Sequence, residues 1–207
     1  MVQDRTARGA GVNVPVVVGA DHDGVVWERY DFTAQDLSAA TFSNCTFDGC
    51  DFSSLKLSKT RFEGCRFHEC NLSNVGIDHT RFDGVAFESC KLVGLNFGLA
   101  DSLVFDLSLT KCLLRYVNFS QVRWKNAVAV QCEASDSDFR GAQLIGADFR
   151  GTKFRACRFH ASDLSKADFS GAEGYDLDLR TENLKKAIFS LPEALNLLAP
   201  FDLEIRS

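Results

Sequence analysis

The segment ATFSNCTFDGCDF, residues 40–52, sets aromatic rings at Phe42, Phe47 and Phe52, a spacing of five. An amphipathic helix returns an apolar residue after three or four positions and a half-buried strand after two, so neither period fits. A repeat unit of five residues is the remaining reading. Extended outward, the same phase holds at Trp27, Phe32 and Leu37 before the segment and at Leu57, Phe62, Phe67, Leu72, Ile77, Phe82, Phe87, Leu92 and Phe97 after it. The spacing slips by two residues and resumes at Val104, Leu109, Leu114, Phe119 and Trp124. It passes over Ala129 and Ala134, then runs from Phe139 to Phe169. Sixteen of the eighteen phenylalanines fall on these two phases, Phe189 included.

Two positions before each large residue stands a small one, among them Ala40, Cys45, Cys50, Thr60, Cys65, Cys70, Cys90, Cys112, Cys132, Ala147, Cys157 and Ala167. On an extended chain residues two apart point the same way, so each unit buries one large and one small side chain. Asp, Asn, Arg, Ser, Lys and Gly fill the positions between. Glycine recurs at the fifth place of the unit, as at Gly49, Gly64 and Gly84, where a corner asks for positive φ.

The units Ala147-Asp148-Phe149-Arg150-Gly151 and Ala167-Asp168-Phe169-Ser170-Gly171 match A-(D/N)-(L/F)-x-x in full, and the pattern resembles the pentapeptide-repeat proteins over roughly residues 27–189. The resemblance implies an all-β fold: a right-handed quadrilateral β-helix, four units per coil, with the large residues stacked down its axis. At a strand spacing of about 4.8 Å, roughly seven coils make a rod about 34 Å long. The expected organisation is an N-terminal tail and capping strand over 1–26, the solenoid over 27–189 with a phase break near 98–103, and a C-terminal helix and strand over 190–207.

All eight cysteines sit in the small inward row, which marks them as compact core residues. That placement argues against disulfides and against a metal site, although Cys65, His68 and Cys70 have ligand-like spacing; His68 points away from the cysteines. Reduced thiols, a polar N-terminus and no long apolar run predict a soluble, cytoplasmic chain with no membrane contact. Residues 12–18 (VNVPVVV) read as a strand covering the first coil, and residues 21–24 (DHDG) as a solvated turn.

Two irregularities interrupt the rod. Residues 98–102 (GLADS) break the phase, either as two extra residues in a bulge or loop, or as a longer loop that restarts the ladder at Leu114. Insertions in solenoids project from one face and often bind partners, while a mere kink that re-aims the second half is the plainer alternative. At Ala129 and Ala134 small residues replace large ones, and Trp124 or an inward bend of the chain must make up the volume. In the tail, Ser190-Leu191-Pro192-Glu193 has the form of a capping box, and Leu195, Leu197 and Leu198 predict a short helix ended by Pro200. Phe201, Leu203 and Ile205 then alternate with charged residues, as in a strand. A two-fold dimer through Leu191, Leu195, Leu198, Phe201, Leu203 and Ile205 is expected.

No acid, base and nucleophile converge in the sequence, the four histidines are scattered, and Thr152 and Lys153 stand in the wrong order for a phosphate loop. An enzyme, a bound metal and a cofactor are therefore not expected. A rod with regular exposed side chains suits a macromolecular partner, and a net charge of −5 disfavours direct nucleic-acid binding. The length, the mid-chain break and the tail resemble the topoisomerase-protecting branch of the family, the quinolone-resistance and the microcin and albicidin immunity proteins, with the tail most like the albicidin-resistance type. That resemblance implies a dimer that mimics duplex DNA, binds DNA gyrase or topoisomerase IV, and protects it from a poison. The carboxylates assigned to the partner are Asp101, Asp106, Asp136, Asp138, Asp148, Asp163 and Asp168. A general interaction scaffold is the alternative.

Overall fold

In the computed structural model, which describes residues 18–201 and 203, short parallel strands pair in a register of twenty, that is, four units of five. Thr41–Ser43 pairs with Arg61–Glu63, and Thr46–Asp48 with Arg66–His68. The chain is therefore a four-sided parallel β-helix. Side one carries Phe42, Phe62 and Phe82; side two Phe47, Phe67 and Phe87; side three Phe52, Leu72 and Leu92; side four Leu57, Ile77 and Phe97. Along side two the rungs run Trp27, Phe47, Phe67, Phe87, Leu109, Ala129, Phe149, Phe169 and Phe189. Eight turns separate the two ends of that column, one more than the sequence suggested, and at about 4.8 Å per turn the rod is about 38 Å long.

The axis is a column of rings. Along one side they stack face to face, with centroids 4.6 Å apart for Phe47 and Phe67 and 4.7 Å for Phe67 and Phe87. Neighbours around one coil meet edge to face, as Phe42 and Phe47 do at 72°. All eight cysteines are buried and free. Their thiols donate to backbone carbonyls, commonly that of the large residue on the turn before: Cys65 to Phe42 at 3.1 Å, Cys70 to Phe47 and Cys90 to Phe67 at 3.3 Å. Thr60 does the same to Leu37 at 2.8 Å. The small row thus fills volume and also satisfies carbonyls the strands leave open.

The sides differ in how much strand they carry. Three-residue strands run through some large positions, as in Arg66–His68 and Lys153–Arg155. Asp or Asn before the large residue usually accepts the backbone N–H two residues on, as Asp51 does from Ser53 and Asn118 from Ser120. The chain then turns after a single bridge. The fifth place adopts positive φ, as expected, yet among the described residues nineteen non-glycine residues are held there as well, for example Asn44 at 55° and Lys59 at 61°. Gly174 is obligatory, because a Cβ there would run into the carbonyl oxygen of Phe154.

The break is the two-residue insertion: Phe87 pairs with Leu109, Lys91–Val93 pairs with Leu113–Arg115, and the ladder does not wait for Leu114. Within it the large position is not Val104. Phe105 pairs with Phe82, and Leu107 and Leu109 are buried. Just before the thin coil the indole of Trp124 is buried. It lies nearly parallel to Phe119, at 17° and 5.2 Å, where other neighbours around a coil are edge to face, and its Nε1 donates to the Leu107 carbonyl at 3.1 Å.

At the C-terminal end the expected helix is a 3-10 segment, Glu193–Phe201, with Pro200 inside it, and most of the expected strand lies outside the described residues. The capping box does not form because the Ser190 hydroxyl accepts from Gly171 N–H at 2.8 Å, extending the last rung instead of capping a helix. Phe201 lies in this segment, Leu203 is in no strand, and Ile205 lies outside the described residues. The strand expected over 12–18 also lies outside them, apart from Val18, which sits in a turn. The ladder itself begins early: His22 takes a large position and stacks on Phe42 at 5.1 Å.

Candidate partner-binding surface

The seven aspartates expected to face a partner are spread over all four sides and the break. Asp101 belongs to the insertion, Asp106 and Asp163 to side one, Asp148 and Asp168 to side two, Asp136 to side three and Asp138 to side four. Only Asp148 and Asp168 are adjacent rungs of one column. Most of them are occupied locally. Asp138 accepts from the guanidinium of Arg140 and Asp148 from that of Arg150, with closest contacts of 2.6 and 2.7 Å. Asp178, on the same pattern, meets Arg180 at 2.6 Å. The arginine beside each carboxyl holds it below the usual range, for Asp178 at about 2. Asp101 pairs with Arg81 at 3.2 Å and accepts the Leu103 N–H. Asp163 and Asp168 accept the backbone N–H of Ser165 and Ser170. In the second half of the rod these carboxylates close turns, and three of that kind carry their own counter-charge.

The first half differs. On side one Asp23, Glu63 and Asp83 follow the large residue on successive strands, with Ser43 between the first two. On side two Glu28, Asp48, His68 and Glu88 do so. Two columns of carboxylates therefore run side by side, about 4.8 Å between rungs. Arg29, Arg61, Arg66 and Arg81 punctuate them, and the Arg81 charge is met by Asp101. His68 Nδ1 lies 2.7 Å from Asp48, and that hydrogen bond raises the imidazole above its ordinary value. A count in twenties along the sequence gives no face of overwhelming acidity, and the two columns emerge once the strand register aligns the residues that follow each large position. Farther along side one the sign reverses at Arg123, Lys125, Lys166, Lys185 and Lys186, with Asp163 the acid among them.

The described residues contain no group of three histidines, cysteines or carboxylates placed to hold a metal ion, and no helix long and apolar enough to cross a membrane. At the C-terminal end Leu191, Leu195, Phe201 and Leu203 are exposed, together with Leu179 and Ile188. Leu198 is half-buried, and Leu197 packs against the core.

Register, ring column and corner chemistry together define a parallel β-solenoid that winds on five-residue units. The pentapeptide repeat region pattern matches residues 23–97 and 60–139, and the pentapeptide repeats pattern, in eight copies, matches residues 142–190. The chain belongs to the pentapeptide-repeat family. Among solved structures it is similar to full-length QnrB1, a plasmid-mediated fluoroquinolone resistance protein, at 23% identity over 89% of this chain and 100% of that one, with a TM-score of 0.43. It is also similar to HetL of the cyanobacterium Nostoc sp. strain PCC 7120, described as involved in heterocyst differentiation regulation, at 18% identity over 85% and 87% and a TM-score of 0.40. A third is Rfr23 of the cyanobacterium Cyanothece 51142, at 14% identity over 84% and 86% and a TM-score of 0.20. No curated protein matches the chain.

Proposed function

We propose that this rod binds a type II topoisomerase, DNA gyrase or topoisomerase IV, in the place of a duplex segment and protects it from an albicidin-like or quinolone-like poison. The observation that carries the reading is the pair of adjacent carboxylate columns on sides one and two, on a stiff rod about 38 Å long. Duplex DNA presents one charge per roughly 1.7 Å of axis, and a cationic DNA-binding groove reads that spacing. Two columns at about 4.8 Å per rung approach it over the first half of the rod, where the arginines do not interrupt. Binding is then to the enzyme, with no direct contact to nucleic acid. The exposed leucines and Phe201 at the C-terminal end form the two-fold contact that would double the rod's length, through Leu191, Leu195, Leu198, Phe201 and Leu203. Asp106, Asp136, Asp163 and Asp168, which make no ion pair among the described residues, extend the negative surface beyond the two columns, and Asp101, Asp138 and Asp148 meet the partner together with their arginines.

The test is DNA supercoiling by gyrase with and without a poison. The protein restores supercoiling in the presence of albicidin or a quinolone, and Glu63→Lys with Asp83→Lys weakens that protection by tenfold or more, about 1.4 kcal/mol. Unchanged protection by the double variant, or no effect of the parent protein on the enzyme, rejects the reading.

A further inference from the structure

We propose that side one is a self-complementary face on which a second copy of this chain lies antiparallel, so that two rods pair side by side. The outward residues that follow its large positions are acids at Asp23, Glu63, Asp83 and Asp106, and bases at Lys125 and Lys185 farther along. Ser43, Ile145 and Ser165 fill the other rungs, so the sign changes once, just past mid-length. Lys166 and Lys186 at the next corner add to the basic half. Among the described residues none of these six charged groups forms an ion pair within the chain. Near the change of sign the insertion enters side one with Leu103, which is 87% exposed, the highest value of any large apolar residue described.

A column that is negative in one half and positive in the other matches its own reverse. Let a two-fold axis cross the rods at right angles near the rung of Phe105. The rung of His22 then faces that of Leu184 in the second copy, and the rung of Phe82 faces that of Trp124. Asp23 meets Lys185 of the second copy and Asp83 meets its Lys125, and symmetry makes each pair twice. Glu63 faces Ile145, between the rungs that carry Lys125 and Lys166. In the column before the large residues, Arg61 faces the neutral Gln143. Arg81 faces Arg123, and Asp101, 3.2 Å from Arg81, relieves that like charge. The two copies of Leu103 lie near the axis, an apolar centre inside a charged rim. A parallel pair would set acid on acid and base on base, so charge selects the antiparallel one. In the pair the acidic column of side one is covered, and self-pairing excludes docking to a cationic groove.

The proposal needs neither the topoisomerase reading nor the contact at the C-terminal end. Side-by-side pairing doubles the mass without doubling a length of about 38 Å, whereas an end-to-end contact doubles both. Small-angle X-ray scattering of the full chain gives mass and maximum dimension over about 10 μM to 1 mM protein, the range of weak pairing. It is run at about 0.01 M and about 1 M salt, where the Debye length is about 30 and 3 Å. A net charge of −5 by itself drives copies apart at low salt, so a gain in mass there reports matched faces. The expected result is a mass about twofold higher at low salt with an unchanged maximum dimension. Asp23→Lys with Asp83→Lys makes the column basic throughout, and Lys125→Glu with Lys185→Glu makes it acidic throughout. Each double variant alone weakens the pairing tenfold or more, and an equimolar mixture of the two restores it. Lys153→Glu with Arg155→Glu, the same change of charge on side three, keeps the pairing. No gain in mass at low salt, a gain with doubled length, pairing that survives either reversal, a mixture that stays unpaired, or an equal loss in the side-three variant each overturns the proposal.

Discussion

The two halves of the rod use the same repeat and solve its two problems, filling the axis and holding the corners, with different residues. Before the break two-thirds of the large positions are rings, Leu37, Leu57, Leu72, Ile77 and Leu92 being the others, and cysteines recur in the small row. After it, Ala129 and Ala134 thin the column, and the Trp124 indole just before them lies flat against Phe119. Corner aspartates in the first half lean on hydroxyls and backbone N–H groups, as Asp31 does on Thr33. In the second half Asp138, Asp148 and Asp178 each carry an arginine two residues on. The fold tolerates both schemes because it asks only for one large side chain inward and a corner with its polar groups satisfied. The surfaces that result are different: acidic columns remain open in the first half, and the second half is neutralised in place.

The largest effect should come from the axis. Phe67→Ala removes a ring clasped between Phe47 and Phe87 and should cost about 3–5 kcal/mol in chemical denaturation. In the second half the comparison is sharper as a cycle. Ala129→Leu alone overpacks the coil beside the indole and costs about 1–3 kcal/mol. Trp124→Ala alone leaves a cavity and costs about 3–5 kcal/mol. The double variant should be more stable than the sum of the two losses by at least about 1 kcal/mol, because the new leucine enters the space the indole leaves. Strict additivity would mean that Trp124 does not fill the volume missing at Ala129.

How much of this was open to reading from the sequence follows from the same contrast. Phe42, Phe47 and Phe52 give the period and with it a solenoid; that four units close a coil, which sets side and register, comes from the resemblance to the pentapeptide-repeat family. The eight cysteines could be placed by phase alone. Phe105 could not, because an insertion shifts chain direction and lets a neighbour of the expected Val104 take the pairing. Nor could the orientation of Trp124, which depends on three-dimensional volume left by residues five and ten positions later. The C-terminal segment misleads for a further reason. Its Ser190 belongs to the solenoid's last rung, and a local capping motif gives way when a ladder hydrogen bond competes for the same oxygen. The local role of a carboxylate is not written in its spacing: several aspartates before a large residue close a corner, as Asp148 does with Arg150, whereas those after it, such as Glu63 and Asp83, stand on the strand face.

A smaller effect separates the corners by their partners. The carboxyls of Asp138, Asp148 and Asp178 sit low because of Arg140, Arg150 and Arg180, whereas Asp31 and Asp36 sit low because of Thr33 and Ser38. In each case the folded value lies below the ordinary 3.8, so the stabilisation is present above pH 3.8 and is lost as the pH falls through the folded value, about 2 for Asp178. Salt distinguishes the two groups. At about 1 M the Debye length is about 3 Å, so ion pairs on the surface are screened and local hydrogen bonds to neutral donors are not. Carboxyl titrations by nuclear magnetic resonance should show the three arginine-paired groups rising with salt while Asp31 and Asp36 stay put. A common shift would remove the distinction between the halves.

The smallest effect lies on the open acidic column itself. His68 stands between Asp48 and Glu88 on side two, and the hydrogen bond its ring donates to Asp48, then the charges of Asp48, Glu69 and Glu88, raise its imidazole above 6.5. Because the folded value is raised, the contribution is fully present below pH 6.5 and fades as the pH climbs through the folded value. Protonation also subtracts one charge from a column that is negative at neutral pH, so the imidazole titrates the very surface proposed to meet a cationic groove. Asp48→Asn should bring the His68 titration down toward its ordinary value, read from its ring protons, and leave the coil intact, since Asp48 faces solvent and its backbone pairing is unchanged. If the titration stays high in that variant, the remaining carboxylates alone set the field. The column then acts as a continuous acidic surface instead of a set of separate pairs, which would strengthen the likeness to a line of phosphates.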